Sequence, residues 1–219
     1  MFFYTFQQIL LIFLLSSVEE YLFITNQRIA NRVEYITLCE DGTNTKRKKL
    51  DMLEEDAPLT KKWARETLIE LLKEQNRMLA GAESCTGGGV SAGITAIAGS
   101  SQVFCGGVVS YTNAVKQNVL GVPAEILETY GAVSEECTAK MAEGAAKLCG
   151  ADTAFSVSGI AGPGGGTEKT PVGTVCFGFF NRGKITTGTQ HFLGDRSDVR
   201  RQANLYVLQT LVEMLQAEK

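Results

Sequence analysis

From Thr60 onward, apolar residues recur at three- and four-residue steps (Ala64, Leu68, Leu71, Leu72, then Gln75), which predicts a helix. Met78–Glu83 reads as a short buried strand. Gly87–Ala98 reads as a second helix, with Val90, Ile94 and Ile97 on one face and a stop at Gly99-Ser100-Ser101. Val103–Tyr111 has strand character, interrupted at Gly106-Gly107, where another backbone or a ligand can come close. Thr112–Leu120 is a short helix closed by Gly121 with Pro123 beyond it, and Ala124–Thr129 is a further helical turn. Ser134 caps a longer helix that runs through Leu148 to Gly150, and Asp152–Ser158 alternates as a strand. Strands Val172–Phe180 and Ile185–Phe192 are joined by Asn181-Arg182-Gly183-Lys184 and form a hairpin. The chain closes with a helix, Ser197–Gln216, striped by Val199, Ala203, Tyr206, Val207, Thr210, Leu211, Met214 and Leu215. Helices and strands alternate up to the terminal hairpin. The expected fold is α/β: a three-layer α/β/α sandwich whose mixed, mostly parallel sheet carries one antiparallel strand.

The first residues break this pattern. Met1–Leu15 is strongly apolar but interrupted by Gln7 and Gln8, and it falls short of the roughly 20 apolar residues that span a bilayer. A secretory signal would carry a basic start and a small-residue cleavage site, and neither is evident. Residues 42–58 are polar, with Lys46-Arg47-Lys48-Lys49 followed by Glu54, Glu55 and Asp56, and read as a solvated linker. The expectation is a non-family extension and linker over residues 1–57, with residues 1–51 read from upstream of a start at Met52, and one catalytic-size domain over 58–219.

Composition narrows the function classes. Apolar residues make up 44% and charged residues 21%, and the formal net charge is −3, which gives no general attraction to nucleic acid. The six cysteines (Cys39, Cys85, Cys105, Cys137, Cys149, Cys176) form no CxxC pair. With a single histidine, His191, no zinc site is expected, and the scattered thiols suit a reducing cytoplasm. No metal, cofactor, nucleic acid or membrane partner is expected.

Candidate chemistry gathers in four clusters. Ala82-Glu83-Ser84-Cys85-Thr86-Gly87-Gly88-Gly89 places a hydroxyl and a thiol between a strand and a glycine-started helix, where free backbone N–H groups can hold an anion or an oxyanion. Ser84 is the leading nucleophile candidate, although taken alone a serine before a helix reads more plainly as an N-cap. Cys85 is the rival, since Glu83, Cys85 and a lysine could imitate a Glu-Lys-Cys amide hydrolase. With one histidine in the chain, the search for a base turns to lysine. In Ser110-Tyr111-Thr112-Asn113-Ala114-Val115-Lys116, a lysine sunk beside apolar walls and a second cation would lose its proton readily and could deprotonate a serine; a surface lysine is the plainer reading. Ser158-Gly159-Ile160-Ala161-Gly162-Pro163-Gly164-Gly165-Gly166-Thr167 could surround a phosphate or carboxylate, or be a flexible loop. Finally, Gly194-Asp195-Arg196 with Arg200 and Arg201 places cations near a helix N-terminus, where they need an anion to meet.

These clusters together resemble the CinA carboxy-terminal domain family, whose stand-alone members include nicotinamide-nucleotide amidases. The matching segments are AESCTGG (82–88), GSS (99–101), GGVVSYTNAVKQNVLGV (106–122), GAVSEE (131–136), SGIAGPGGGTEKTPVGTV (158–175) and GDRSDVRRQA (194–203). Nothing in residues 1–57 matches, and the molybdopterin-binding-like domain of full-length CinA proteins has no counterpart. The resemblance implies hydrolysis of nicotinamide mononucleotide to nicotinic acid mononucleotide and ammonia, without metal or cofactor, in pyridine nucleotide recycling. It implies Ser84 as nucleophile, Lys116 as base and Tyr111 as a group that orients the lysine or relays its proton. Substrate contacts are expected from Thr86, Gly87, Gly88, Asn113, Gly162, Gly164, Gly165, Thr167 and Arg196, with the N–H groups around Thr86 and Gly87 as the oxyanion site. The expected assembly is a homo-oligomer. Where family members often read Glu-Glu-Lys-Pro, this chain has Glu168-Lys169-Thr170-Pro171, which moves the lysine by one position. The alternative reading is a non-catalytic, competence- or damage-associated ligand-binding module.

Overall fold

The structure, a computed structural model, describes residues 62–218. The expectations for residues 1–57 lie outside them. Helix α1 spans 62–74 and is followed by β1 (Leu79–Glu83), α2 (Gly89–Thr95), a 3-10 turn (Ser100–Gln102) and β2 (Phe104–Val109). Then come α3 (Asn113–Asn118), α4 (Ala124–Thr129), α5 (Glu135–Cys149) and β3 (Thr153–Gly159), and last β4 (Thr174–Asn181), β5 (Lys184–His191) and α6 (Arg196–Gln216).

The five strands form one sheet in the order β2-β1-β3-β4-β5. β1 pairs in parallel with both β2 and β3, β4 runs antiparallel to β3, and β5 runs antiparallel to β4. β4 alone therefore opposes the other four strands, as the alternation of elements predicts. Both faces are covered, so the inner strands alternate between two cores rather than between core and water. Leu79, Phe155, Val157, Val175, Phe177 and Phe179 pack with α1, α2 and α6 through Leu68, Ile94, Val207 and Leu211. Ala80, Ala82 and Ala154 pack on the other face against Cys137, Met141 and Ala145 of α5. Each large side chain so buried contributes about 1.5–3 kcal/mol, which is what holds a parallel sheet between two helical layers.

Small residues set how closely the layers approach. Gly81 stands opposite Phe155 in register, and the Phe155 ring lies where a Gly81 Cβ would come within 2.5 Å of it. On the α5 face, Ser156 Oγ donates to the Thr138 carbonyl at 2.6 Å, and a side chain at Gly178 would strike that same carbonyl. At the β2 edge the register steps from Leu79↔Phe104 to Ala80↔Gly106, so Cys105 is a bulge. The close approach expected at Gly106-Gly107 is made at Gly107, which packs against Ser91 Oγ and the Gly81 backbone.

Two boundaries differ from the periodicity. α2 starts at Gly89 rather than Gly87, because Gly87 and Gly88 hold φ of 62° and 89°, which a right-handed helix cannot include. It also stops at Thr95, short of Ala98, as the chain turns through Gly99 at φ 82°. Among the described residues, no helix is long and apolar enough to cross a membrane.

Candidate active site

β1 and β3 end side by side, and the site is built at that end. The Glu83 carboxylate closes β1 by turning to α2, where it accepts from Val90 N (3.1 Å), Ser91 N (2.8 Å) and Ser91 Oγ (2.6 Å). An acid at a helix N-terminus satisfies donors that the helix itself cannot. Because Glu83 performs the capping, the Ser84 hydroxyl does not: the N-cap of α2 is Gly88, with no side-chain cap. Ser84 remains fixed in the sheet, its N–H donating to Val157 O at 2.9 Å.

The Ser84 hydroxyl instead faces Lys116. Thr112 caps α3 through its side chain, which accepts from Val115 N at 3.4 Å, and this places Lys116 in the last turn of a six-residue helix, aimed inward. Its Nζ donates to the Ser110 carbonyl at 2.7 Å and lies 3.1 Å from Ser84 Oγ. Lys116 is 1% exposed, and among the described residues it makes no ion pair. Burial pulls its proton affinity below that of an ordinary lysine, against a smaller opposite pull from Cys137 and Cys85. The shift comes from desolvation, without the second cation that the sequence reading invoked.

Cys85 borders the same cleft, but burial pushes its thiol up to about 12, so it is protonated at neutral pH. Glu83, the other member of the imagined Glu-Lys-Cys set, is committed to α2.

A cleft of about 280 Å³ opens over the serine and lysine, walled by Ser84, Cys85, Tyr111, Asn113, Lys116, Ala132, Val133, Ser158, Gly159, Ala161 and Arg196. Tyr111 is 60% exposed, and its phenol oxygen accepts from Arg196 at 3.3 Å rather than meeting Lys116. Arg196 also donates to the Gly162 carbonyl at 2.9 Å, so it bridges the end of β2 and the glycine-rich loop. Both of its acceptors among the described residues are uncharged, so within them its positive charge stands unpaired at the mouth of the cleft. Arg201 by contrast pairs with Asp198 at 3.1 Å, and Arg200 donates to Thr86 O at 2.9 Å. Asp195 and Asp198 form a capping box on α6, an anionic counterpart to these arginines inside the helix itself.

Of the residues expected at the site, Ser84, Tyr111, Asn113, Lys116 and Arg196 share the cleft. Thr86, Gly87, Gly88, Gly162, Gly164, Gly165 and Thr167 are not among its walls. Thr86 is fully buried, and the Gly87 N–H is held by Ser84 O at 3.1 Å, which removes it as an oxyanion donor. Gly164, Gly165 and Thr167 are exposed, and Thr167 turns back on Thr170 through its backbone N–H and its hydroxyl. His191 lies at the end of β5 near Thr174. Ser158, which heads the glycine-rich cluster, and Ala132 and Val133 of the GAVSEE segment are walls to which sequence reasoning assigned no role. Their signal is tertiary: Ser158 Oγ donates to the Ala132 carbonyl at 2.6 Å and ties the end of β3 to the turn before α5.

The molecule is thus an α/β/α sandwich with a serine and a buried lysine together at its strand ends, and its sequence matches a known family. The CinA C-terminal domain model matches residues 61–215, and the chain belongs to that family. A nicotinamide-nucleotide amidohydrolase PncC from Escherichia coli (strain K12) is 51% identical over 147 residues, 67% of this chain and 89% of that protein. The protein of the same name from Enterobacter agglomerans is 52% identical over 140 residues, 64% of this chain and 85% of that protein. A CinA-like protein from Thermotoga sp. (strain RQ2) is 46% identical over 154 residues, but the match spans 70% of this chain and only 38% of that longer relative. Among solved structures, a CinA superfamily protein from Klebsiella pneumoniae 700603 superposes with a TM-score of 0.70 at 39% identity, covering 72% of this chain and 98% of the other.

Proposed function

We propose that the chain is a nicotinamide-nucleotide amidase that hydrolyses nicotinamide mononucleotide to nicotinic acid mononucleotide and ammonia through Ser84 and Lys116. The observation that carries this reading is the 3.1 Å approach of a buried lysine amine to a serine hydroxyl in an open cleft. A binding module has no need of a desolvated base against a hydroxyl. The names of the two PncC relatives, each about half identical over roughly two thirds of this chain, support a nicotinamide nucleotide as the class of substrate.

In this mechanism neutral Lys116 takes the Ser84 proton as Ser84 Oγ bonds to the carboxamide carbon. The Ser110 carbonyl binds one amine hydrogen, leaving the lone pair free for Ser84. The carboxamide oxygen takes on negative charge, which the backbone N–H of Cys85, a wall of the cleft, stabilises. The C–N bond then breaks, and Lys116 returns its proton to the nitrogen, which leaves as ammonia. Water, deprotonated by Lys116, attacks the Ser84 ester and releases the nicotinic acid nucleotide with the Ser84 hydroxyl restored.

The 5′-phosphate meets Arg196, whose charge has no acidic partner among the described residues, rather than the exposed Gly164–Thr167 segment. Binding of the phosphate draws the guanidinium from Tyr111, and the freed phenol can turn toward the amine and relay its proton. The enzyme serves pyridine nucleotide recycling in the cytoplasm. Ammonia release from the purified chain, lost in Ser84→Ala while the fold persists, tests the reading; an equally active Ser84→Ala would refute it.

A further inference from the structure

Ser84 and Ser158 stand next to each other at the ends of neighbouring parallel strands. The β1–β3 register runs Ala82↔Ser156 and Glu83↔Val157, and Ser84 N–H continues it by donating to Val157 O at 2.9 Å. One further step sets Ser84 beside Ser158. Side chains alternate along a strand, so both fall on the face that carries Ala82 and Ser156. Neighbouring strands lie about 5 Å apart, which brings side chains at facing positions on one face to about that distance. Ser158 is 1% exposed, yet it forms part of the cleft wall with Ser84 and Lys116.

A serine hydroxyl has one hydrogen to give and two lone pairs to offer. Ser158 gives its hydrogen to the Ala132 carbonyl at 2.6 Å, its one hydrogen bond among the described residues. Toward the cleft it is therefore an acceptor only. A primary carboxamide has an acceptor oxygen and a donor NH2 on the same carbon, whereas an ester or carboxylate has acceptors alone. The residues assigned to the reaction so far address the carbon, the oxygen and the departing proton, and none of them recognises the NH2 group.

We propose that Ser158 is a specificity-determining residue that accepts a hydrogen bond from the NH2 of the substrate carboxamide, and so selects primary amides over esters carrying the same nucleotide. This rests on the reading of the cleft as an amidase. An ester oxygen in the same place sets lone pair against lone pair and leaves Ser158 unsatisfied, a penalty that a site built for hydrogen bonding imposes on a substrate lacking the donor. Holding an N–H toward Ser158 also leaves the nitrogen lone pair, as it forms, free to take the proton from Lys116.

The test compares the unmodified chain with Ser158→Ala and Ser158→Thr on two substrates, nicotinamide mononucleotide and the methyl ester of nicotinic acid mononucleotide. In Ser158→Ala, kcat/KM for the amide should fall roughly 10- to 100-fold while ester cleavage is maintained, since losing one such acceptor affects only the substrate that donates to it. Ser158→Thr, which keeps the hydroxyl, should restore most of the amide activity. An equal loss on both substrates would overturn the proposal and leave Ser158 a strut for Ala132. Unchanged activity on both would overturn it as well. If the unmodified chain releases no ammonia, the amidase reading fails first, before any substitution at Ser158 is read.

Discussion

Lys116 and Ser84 are 32 positions apart in the chain and 3.1 Å apart at their reactive atoms, with the lysine shut off from solvent. Burial disfavours the charged amine, so Lys116 holds its proton less tightly than an exposed lysine. The acid limb of kcat/KM is therefore expected below the ordinary lysine range, with activity rising as Lys116 loses its proton. Lys116→Met, similar in length and uncharged, should lower kcat by on the order of 10²–10⁴. A pH–rate profile of both proteins checks this.

The same group links pH to stability. Because the folded-state affinity of Lys116 is lowered, the unfolded chain binds more protons than the folded one between the folded value and the ordinary value of 10.5. Its contribution to stability thus rises with pH through that window, and its cost is greatest below it. Lys116→Met removes this slope. Thermal unfolding across pH should show any advantage of the variant shrinking, or any deficit widening, as pH rises toward 10.5.

Cys85 is expected to be a packing residue. Its thiol, pushed up to about 12, has almost no thiolate at neutral pH. Cys85→Ala should retain amidase activity, whereas Ser84→Ala should not. Iodoacetamide at neutral pH should modify exposed Cys105 before Cys85, as peptide mass mapping can read.

Glu83 supports the site without joining it. Glu83→Ala removes the acceptor for Val90 N, Ser91 N and Ser91 Oγ, and should cost about 2 kcal/mol in urea unfolding. Gly144 plays a similar part through packing: a Cβ there would collide with the backbone of Leu120, just beyond the helix that carries Lys116. Gly144→Ala should destabilise the fold by about 1–3 kcal/mol and depress activity with it, since α5 must move away from Leu120.

Much of this architecture is legible in the sequence because local signals agree with the fold. Ser134 accepts from Cys137 N and starts α5, Gly150 at φ 62° ends it, and the predicted stripe on α6 supplies Val199, Ala203, Val207, Leu211 and Leu215 to the core. Where the reading shifted, a specific contact intervened. Paired left-handed glycines delay α2, and Glu83 takes the capping role that Ser84 could have filled. The approach of Lys116 to Ser84 is invisible to spacing, because it depends on β1 and β2 lying side by side. Ser158 is harder still to find. Its place beside Ser84 comes from strand register, and its acceptor character comes from a carbonyl 26 positions away.

The most direct measurement is the titration of the Lys116 amine itself, by NMR of nitrogen-labelled lysine in the full chain. One lysine resonance should titrate below the others and be absent in Lys116→Met, with a midpoint that coincides with the acid limb of kcat/KM. A Lys116 amine that titrates with the exposed lysines, or a midpoint unrelated to the rate profile, would contradict it.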